Sequence, residues 1–241
     1  LSVTTFVVAG DPATYNAGDT ATIAGVGTVL LASDGSYTFT PDADWNGTVP
    51  AITYTLSDGE GGSDTADLVI TVDPVNDAPV ASGTIADQSD DDAGVVAGVA
   101  TSSFFSDIDG DVLGYSASGL PAGLSIDPVT GVISGTIDNS ASQGGPASDG
   151  VYSVTVTADD GNGGTVDQTF TWTVANPAPV ANDDAASTDE DVAVSGNVIG
   201  SGGAGDVADS DADGDVLSVT TFVVAGDPAT YNAGDTATIA G

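Results

Sequence analysis

The chain contains no lysine, arginine, histidine, cysteine or methionine, while 36 of its 241 residues are acidic. Without cationic side chains it has no means of binding nucleic-acid phosphates or an anionic membrane surface, so we expect neither partner. Without cysteine it forms no disulfides and no zinc–thiolate site. Side chains cannot pair in salt bridges, so the repulsion among the carboxylates must be offset by salt or bound cations.

The missing residue types also argue against catalysis. No histidine, cysteine or lysine is available as base or nucleophile, and no serine has a basic partner for a triad. Paired carboxylates cleave glycosides in some enzymes, but among so many acidic residues close pairs arise by chance, and cation binding explains them better. We therefore predict that the chain is not an enzyme. It also lacks a run of about 18 apolar residues, so we expect no membrane insertion of this segment.

Apolar residues alternate with threonine, serine or another outward-facing residue in several short stretches. The inward-facing sets are Ile52, Tyr54, Leu56; Leu68, Ile70, Val72; Tyr152, Val154, Val156; and Phe170, Trp172, Val174. This alternation is typical of antiparallel sheets with one solvated face. No helical segment of useful length is present, and glycine and aspartate turns recur about every ten residues. The sequence therefore predicts an all-β protein built of β-sandwiches.

An internal repeat defines the organisation of the chain. Residues 1–25 reappear without a change as residues 217–241, which indicates one period of a tandem array. Proline-containing junctions at Val72–Val80 and Val174–Val180 divide that period. We predict three parts: 1–75, a sandwich lacking its N-terminal segment; 76–176, a second sandwich; and 177–241, the N-terminal part of the next copy of the first. The chain is then a window in a longer array, a shifted segment, or a molecule complemented end to end by its neighbours. We favour the window, because a folded array supplies the missing strands within the same chain.

Two acidic loops carry the clearest chemistry. Asp209-Ser-Asp-Ala-Asp-Gly-Asp215 and Asp107-Ile-Asp-Gly-Asp111 place carboxylates at alternate positions with a glycine that permits a sharp turn. Such a loop wraps several oxygens around one hard cation such as Ca²⁺. A solvated acidic turn is the alternative interpretation.

Two further groups supply candidate ligands. The turns Ser57–Ser63 and Asp159–Thr165 each join two strong strands, and a hairpin turn stabilised by aspartate and glycine is the simplest interpretation. Calcium binding is compatible with it, with Asp58 or Asp159 closing the turn and also acting as a ligand. The first junction adds two aspartates and an asparagine. The predicted calcium ligands are Asp58, Asp73, Asn76, Asp77, Asp107, Asp109, Asp111, Asp159, Asp209, Asp211, Asp213 and Asp215. We interpret a last acidic group, Asp87, Asp90, Asp91 and Asp92, as a solvated charge run.

Several motifs resemble known repeats. Ser36-Tyr-Thr-Phe-Thr-Pro41, Ile52-Thr-Tyr-Thr-Leu-Ser-Asp-Gly59 and Val75-Asn-Asp-Ala-Pro79 resemble the cadherin-like repeats of giant bacterial adhesins of the repeat-in-toxin type, with a tandem-95/VCBS-like module. The motifs Phe105–Asp111, Gly119–Leu124, Asp127–Gly131 and Ala158–Gly164 resemble the dystroglycan-type cadherin-like domain. The second junction departs from the pattern, because Pro177 replaces the aspartate expected after Asn176.

This resemblance implies tandem Ig/cadherin-like β-sandwiches in an elongated array, secreted to the cell surface. It implies that loop carboxylates of one module and linker residues of the next share calcium, and that adjacent repeats of the same chain are the partners. We therefore expect a calcium-rigidified stalk that supports adhesion or biofilm formation. A subunit of a self-assembling extracellular filament, made of like chains, is the first alternative. A carbohydrate-binding module, with Trp45 as its best exposed aromatic residue, is the second.

Overall fold

A computed structural model of the chain describes residues 1–200 and 207–238. Regular structure in this part is almost entirely β, which confirms the all-β prediction. The strands are β1 (Ser2–Val8), β2 (Tyr15–Asn16), β3 (Thr20–Ile23), β4 (Gly27–Leu31), β5 (Tyr37–Pro41), β6 (Gly47–Thr48), β7 (Ile52–Ser57), β8 (Ser63–Leu68), β9 (Thr71–Val72), β10 (Val80–Ala81), β11 (Gln88–Asp91), β12 (Val95–Ala100), β13 (Phe105–Ser106), β14 (Gly114–Ser118), β15 (Leu124–Ile126), β16 (Val132–Thr136), β17 (Val151–Asp159), β18 (Thr165–Ala175), β19 (Thr221–Val223) and β20 (Thr230–Asn232). Two single-turn 3₁₀ helices cover Ser102–Phe104 and Ala141–Gln143.

The chain forms two compact units. Unit 1 comprises residues 1–78 with 107–111, and unit 2 comprises 79–106 with 112–241. The division at residues 75/76 and 176/177 that the junctions indicate stays a prediction. Two parts of the predicted third segment, residues 201–206 and 239–241, lie outside the described residues.

Unit 1 contains two sheets that face each other. One has the strand order β2-β1-β7-β8 and the other β3-β4-β5, with all neighbours antiparallel. The side chains buried between them are Val3, Phe6, Val8, Ala21, Val29, Leu31, Val49 and Ile52. Buried residues alternate along β3 and β4, and a bulge between Val3 and Thr5 shifts the pattern along β1.

Unit 2 contains a sandwich of the same kind. Its sheets have the orders β11-β18-β17-β14 and β12-β16-β15, and β11 runs parallel to β18 while the other neighbours are antiparallel. Trp172 is the largest fully buried side chain, and its ring lies 6.0 Å from that of Phe170. This core also encloses Ile133, Ile137, Val154 and Val156.

The predicted alternation of burial is present in β17 and β18, whereas in β7 Ile52 is buried and residues 53–57 are all half-buried. Inward-facing residues of β17 are at most 8% exposed, whereas their neighbours are half-buried or exposed. Around Leu68 the burial also alternates, but β8 ends there and pairing resumes only at β9, because Thr71 and Val72 pair with β6. In the part of the chain that the structure describes, no helix has the length and apolar character needed to cross a membrane.

Candidate metal centre

The acidic loop 107–111 follows β13 and folds around the carboxylate of its own first residue. Asp107 Oδ1 accepts hydrogen bonds from the backbone N–H groups of Asp109, at 2.9 Å, and Asp111, at 3.3 Å. Gly110 has a φ of +82°, a left-handed conformation that glycine adopts without steric cost. The second oxygen of Asp107, Oδ2, is buried and has no hydrogen-bond partner within the described residues. One oxygen thus closes the loop and the other faces no donor.

Asp160 approaches this loop from the β17–β18 hairpin. The even-numbered residues from Tyr152 to Ala158 point into the sandwich, and Asp160 continues that face with 5% exposure, whereas Asp159 is exposed. Asp160 Oδ1 accepts hydrogen bonds from the backbone N–H groups of Asn162, at 2.7 Å, and Gly164, at 2.9 Å. These bonds fix the carboxylate at the inner side of the turn.

The register of β14 on β17 brings the loop and the hairpin together. Gly114 lies opposite Asp159, and Asp111 precedes Gly114 by three residues, so the end of the loop lies beside the start of the turn. One carboxylate oxygen from each of Asp107, Asp111 and Asp160, here called the carboxylate trio, lies within 4.8 Å of the other two. Two full charges at that separation repel by roughly 3 kcal/mol at an effective dielectric constant of about 20. The chain contains no lysine or arginine that could offset this repulsion.

The trio fits a hard divalent cation. Calcium binds oxygen donors, and acidic loops with alternate carboxylates supply several of them within a few residues. A buried carboxylate oxygen without a partner, such as Asp107 Oδ2, is rare in folded proteins unless a ligand, an ion or water satisfies it. The chemistry of the donors and the orphaned atom therefore agree with calcium, and binding itself stays a prediction.

Asp109, the middle carboxylate of this loop, turns towards the first junction. Its Oδ2 accepts a hydrogen bond of 2.7 Å from the backbone N–H of Asp77. Desolvation raises the pKa of Asp77 above its ordinary value, and the charges of neighbouring aspartates add to the effect. Asp73 and Asn76 are exposed and lie outside the trio.

The two hairpin turns with candidate ligands are built alike, but their matching residues differ from the predicted pair. Asp58 Oδ1 accepts hydrogen bonds from the N–H groups of Glu60 and Gly62, both at 2.8 Å, and these bonds lower the pKa of Asp58. Asp160, and not Asp159, makes the equivalent bonds in the second turn. The structure thus places Asp159 outside the trio and adds Asp160, which the sequence analysis missed. The alternation in β17, continued by one more step, is the signal that could have found it.

The second acidic loop, 209–215, repeats the geometry of the first. Asp211 Oδ1 accepts hydrogen bonds from the N–H groups of Asp213, at 3.2 Å, and Asp215, at 3.4 Å. Asp213 is 7% exposed, and neither of its carboxylate oxygens has a hydrogen-bond partner among the described residues. The neighbouring Asp211 carboxyl raises the pKa of Asp213, and burial adds to the effect. Asp209 turns away, since its carboxylate accepts the backbone N–H of Asn182 at 2.7 Å.

The acidic group that begins at Asp87 is not the solvated run that we expected. Asp92 is 3% exposed, Asp90 accepts a hydrogen bond of 3.0 Å from Trp172 Nε1, and Asp87 accepts one of 2.7 Å from the N–H of Thr171. The parallel pairing of β11 with β18 causes this, because it holds the acidic segment against the strand. The expectation of full solvation is therefore wrong for Asp90 and Asp92.

The aromatic residue considered for carbohydrate stacking is tied to the core of unit 1. Trp45 is half-buried and packs edge to face on Phe39, with 6.3 Å between ring centroids. The more exposed ring is Tyr37, at 54%. A carbohydrate-stacking role for Trp45 stays a prediction.

Comparisons with known proteins agree with the two sandwiches. Residues 4–74 match the family model described as bacterial cadherin-like domain, and residues 78–175 match the one described as Putative Ig domain. No curated protein sequence matches the chain.

Solved structures with similar folds include cadherins and a glycosidase. The ectodomain of human desmocollin-1 has a TM-score of 0.40 and 19% identity over 76% of this chain and 35% of its own. Drosophila N-cadherin EC1-4 has a TM-score of 0.34 and 13% identity over 73% of this chain and 42% of its own. A putative α-galactosidase/melibiase of Bacteroides fragilis has a TM-score of 0.31 and 20% identity over 41% of this chain and 19% of its own. The chain thus spans less than half the length of each of these proteins.

The two family models agree with the predicted all-β fold and with the predicted similarity to cadherin-like and Ig-like repeats. Domains of both kinds are generally non-enzymatic, and cadherin-like domains are extracellular. Residues 4–74 are thus similar to a bacterial cadherin-like domain, and residues 78–175 are similar to an Ig-like domain.

Proposed function

We propose that the chain is a structural repeat of a long secreted bacterial surface protein that supports adhesion, and that calcium stiffens it. The observation that carries this proposal is the carboxylate trio with its buried, unpartnered Asp107 Oδ2. Three converging carboxylates repel one another, and the chain has no cationic side chain to offset this repulsion. A bound cation would offset it and would cross-link the loop and the hairpin.

A different structural feature positions each member of the trio. Asp107 closes its own loop through Oδ1 and keeps Oδ2 for the ligand, Asp160 is held by two N–H groups of its turn, and Asp111 is placed by the β14–β17 register. Calcium, when bound, supplies the double positive charge that offsets the carboxylates. The residues themselves do the positioning, so little ordering remains to be done when the ion arrives.

We extend the proposal to the second loop and to the first junction. Asp211, Asp213 and Asp215 form a turn like that of the first loop, and the orphaned oxygens of Asp213 support a second calcium site there. Asp77 already meets the first loop through its N–H, so junction residues are available as further ligands. Proline and bound calcium would together limit bending of the junction, which is what a stalk requires.

Removal of calcium tests the proposal directly. We expect EDTA at low salt to lower the melting temperature, since calcium at a hundred times its Kd stabilises the folded state by about 2.7 kcal/mol. In calorimetric titrations we expect Asp160→Asn to weaken binding at one site about tenfold or more, a loss of ~1.4 kcal/mol. Asp159→Asn is the matched control, because it removes the same charge from the neighbouring, outward-facing position.

Two results would contradict the proposal. An unchanged melt in EDTA at low salt shows that no cation contributes to the fold. Equal effects of Asp160→Asn and Asp159→Asn show that only the net charge matters and that the trio is not a site. Magnesium should substitute poorly, because it demands a smaller octahedral shell and gives up its water reluctantly.

A further inference from the structure

A buried aspartate, Asp92, lies at the other end of strand β18 from the carboxylate trio. Its backbone N–H donates a hydrogen bond of 2.9 Å to the carbonyl of Ala175, the last residue of β18. Asp160 of the trio belongs instead to the hairpin turn that precedes the strand. Asp92 is 3% exposed, and in the described part of the chain it belongs to no group of three acidic side chains that could share one ion. Asp92 is therefore separate from the trio.

The loop 141–150 packs against Asp92 and against the end of β18. The backbone N–H of Ser142 donates to Asp92 Oδ1 at 2.8 Å, and the N–H of Val174 donates to the carbonyl of Gly150 at 2.8 Å. Gly150 has a φ of +72°, and a Cβ there would collide with the carbonyl of Val174, so glycine permits this close approach. The loop and Asp92 thus hold the last two residues of the strand together.

Two polar atoms at this contact have no hydrogen-bond partner. Asp92 Oδ2 and Ser142 Oγ are both buried, and neither bonds to the other or to any other group of the described residues. They belong to the two residues that the 2.8 Å bond joins, so they lie on the two sides of one contact. Burial of a carboxylate oxygen costs free energy unless a proton donor or a cation satisfies it.

The surroundings of Asp92 are negative. The Tyr152 hydroxyl donates its proton to the carbonyl of Ala141 at 2.7 Å, so this proton is not available to Asp92. Burial raises the pKa of Tyr152, and the negative charges of Asp92 and Asp138 raise it further. The hydroxyl and the N–H of Ser140 lower the pKa of Asp138, which keeps that carboxyl ionised. Because the chain has no lysine or arginine, a counter-charge can only come from solution.

We propose that Asp92 Oδ2 and Ser142 Oγ bind one sodium ion, with water completing its coordination shell. A single buried carboxylate carries one negative charge, and a monovalent cation offsets that charge in full. Calcium sites normally combine several carboxylates, and Asp92 belongs to no such group among the described residues. The hydroxyl of Ser142 supplies a neutral oxygen ligand and leaves this balance of charge unchanged.

The sodium ion would fasten the end of unit 2. It would link the turn between β11 and β12 to the loop 141–150, and both of these hold the last residues of β18. The second junction follows directly, and there Pro177 stands in place of the aspartate expected after Asn176. A monovalent site would thus stiffen the approach to the junction that has fewer candidate calcium ligands.

Hydrogen exchange of the full chain in EDTA tests the proposal apart from calcium binding. Sodium chloride is compared with tetramethylammonium chloride at the same concentration, because the larger cation screens charge but does not fit a contact between two side chains. We expect sodium to slow exchange of the Ser142 and Val174 amides about tenfold, the protection that an ion at roughly ten times its Kd provides. The amides of β3 and β4 in unit 1 should exchange equally in the two salts.

Three variants locate the effect. Asp92→Asn keeps the shape of the side chain and removes its charge, so it should abolish the difference between the two salts. Asp91→Asn is the matched control, because it removes the same charge from the exposed neighbouring position, and it should retain the full difference. Ser142→Ala keeps the N–H that donates to Asp92 and should reduce the difference, which provides a test that does not require Asp92→Asn to fold.

Three results would overturn the proposal. Equal protection of the Ser142 and Val174 amides in the two salts shows that water or a proton satisfies Asp92. Equal losses in Asp92→Asn and Asp91→Asn show that sodium acts on the net charge and not at this contact. Protection of the same amides by calcium and not by sodium, once EDTA is removed, shows that the site takes a divalent ion.

Discussion

The two copies of the repeated stretch, residues 1–22 and 217–238, are identical in sequence and differ only in their surroundings. Both fold into the same hairpin. Phe6 pairs with Tyr15 and Phe222 with Tyr231, and in each case the rings stack with 5.2 Å between centroids. The local sequence is therefore sufficient to bring these residues together.

The extent of strand structure separates the two copies. Strand β1 has seven residues and also pairs with β7, whereas β19 has three, and among the described residues it pairs with β20 alone. Phe6 is 1% exposed, while Phe222 is only half-buried. Thr20–Thr22 lie in β3 against β4, but their counterparts at 236–238 form no strand. Pairing with non-local strands extends the hairpin into a sheet.

The largest expected contrast is between Phe6→Ala and Phe222→Ala. We expect the first to destabilise unit 1 by about 3–5 kcal/mol, because it empties a fully buried site. The second should cost about 1 kcal/mol or less, since its ring is partly solvated. Hydrogen exchange of the β1 and β7 amides measures unit 1, and that of the β19 and β20 amides measures the second hairpin. Equal losses at the two positions would show that the hairpin, and not the sandwich, carries the stability.

A smaller contrast is expected between Ala21→Leu and Ala237→Leu. Ala21 is fully buried between the sheets, so a larger side chain there should overpack the core and cost about 1–3 kcal/mol. Ala237 lies outside any strand, and its substitution should change stability by about 0.5 kcal/mol or less. Denaturant midpoints of both variants give the comparison. A tolerated Ala21→Leu would mean that the core of unit 1 is loosely packed at β3.

At Asp11 and Asp227 we expect no difference in carboxyl pKa between the two copies. Each accepts a hydrogen bond from a backbone N–H two residues on and one from a tyrosine hydroxyl at 2.8 Å, and these bonds lower the pKa of both carboxyls below its ordinary value. A lowered pKa in the folded state stabilises the hairpin above the ordinary pKa, and this stability is lost as the pH falls through the lowered value. NMR titration of the two carboxyls should give equal shifts. A shift at Asp11 only would show that the sheet, and not the turn, sets the bond.

The metal centre shows what the spacing of aspartates predicts about a site and what it does not. The spacing of Asp107, Asp109 and Asp111 predicts a loop that gathers carboxylates, and the structure contains such a loop. The spacing does not tell which carboxylates converge, because Asp109 turns to Asp77 while Asp111 meets Asp160. That choice depends on the register of β14 on β17, a non-local pairing between residues about 45 positions apart.

Asp92 is a case in which the sequence pattern predicts the wrong environment for a side chain. Its neighbours in sequence are acidic, and an acidic run normally remains in water. Parallel pairing with β18 carries Asp92 into a buried position, where Oδ1 accepts the N–H of Ser142 at 2.8 Å. Parallel strands are joined by long connections, so no local signal announces them.

By itself the sequence determined the strands, the turns and the hairpins, because alternation, glycine and aspartate act over a few residues. It also determined the chemistry, since a chain with 36 acidic residues and no lysine or arginine can offset its charge only from outside. Tertiary structure decided how long β1 becomes, whether a given phenylalanine is buried, and which three carboxylates meet. These outcomes depend on pairing between distant strands. The two identical copies show this, because the same sequence forms a long strand where β7 pairs with it and a short strand where only the local hairpin partner does.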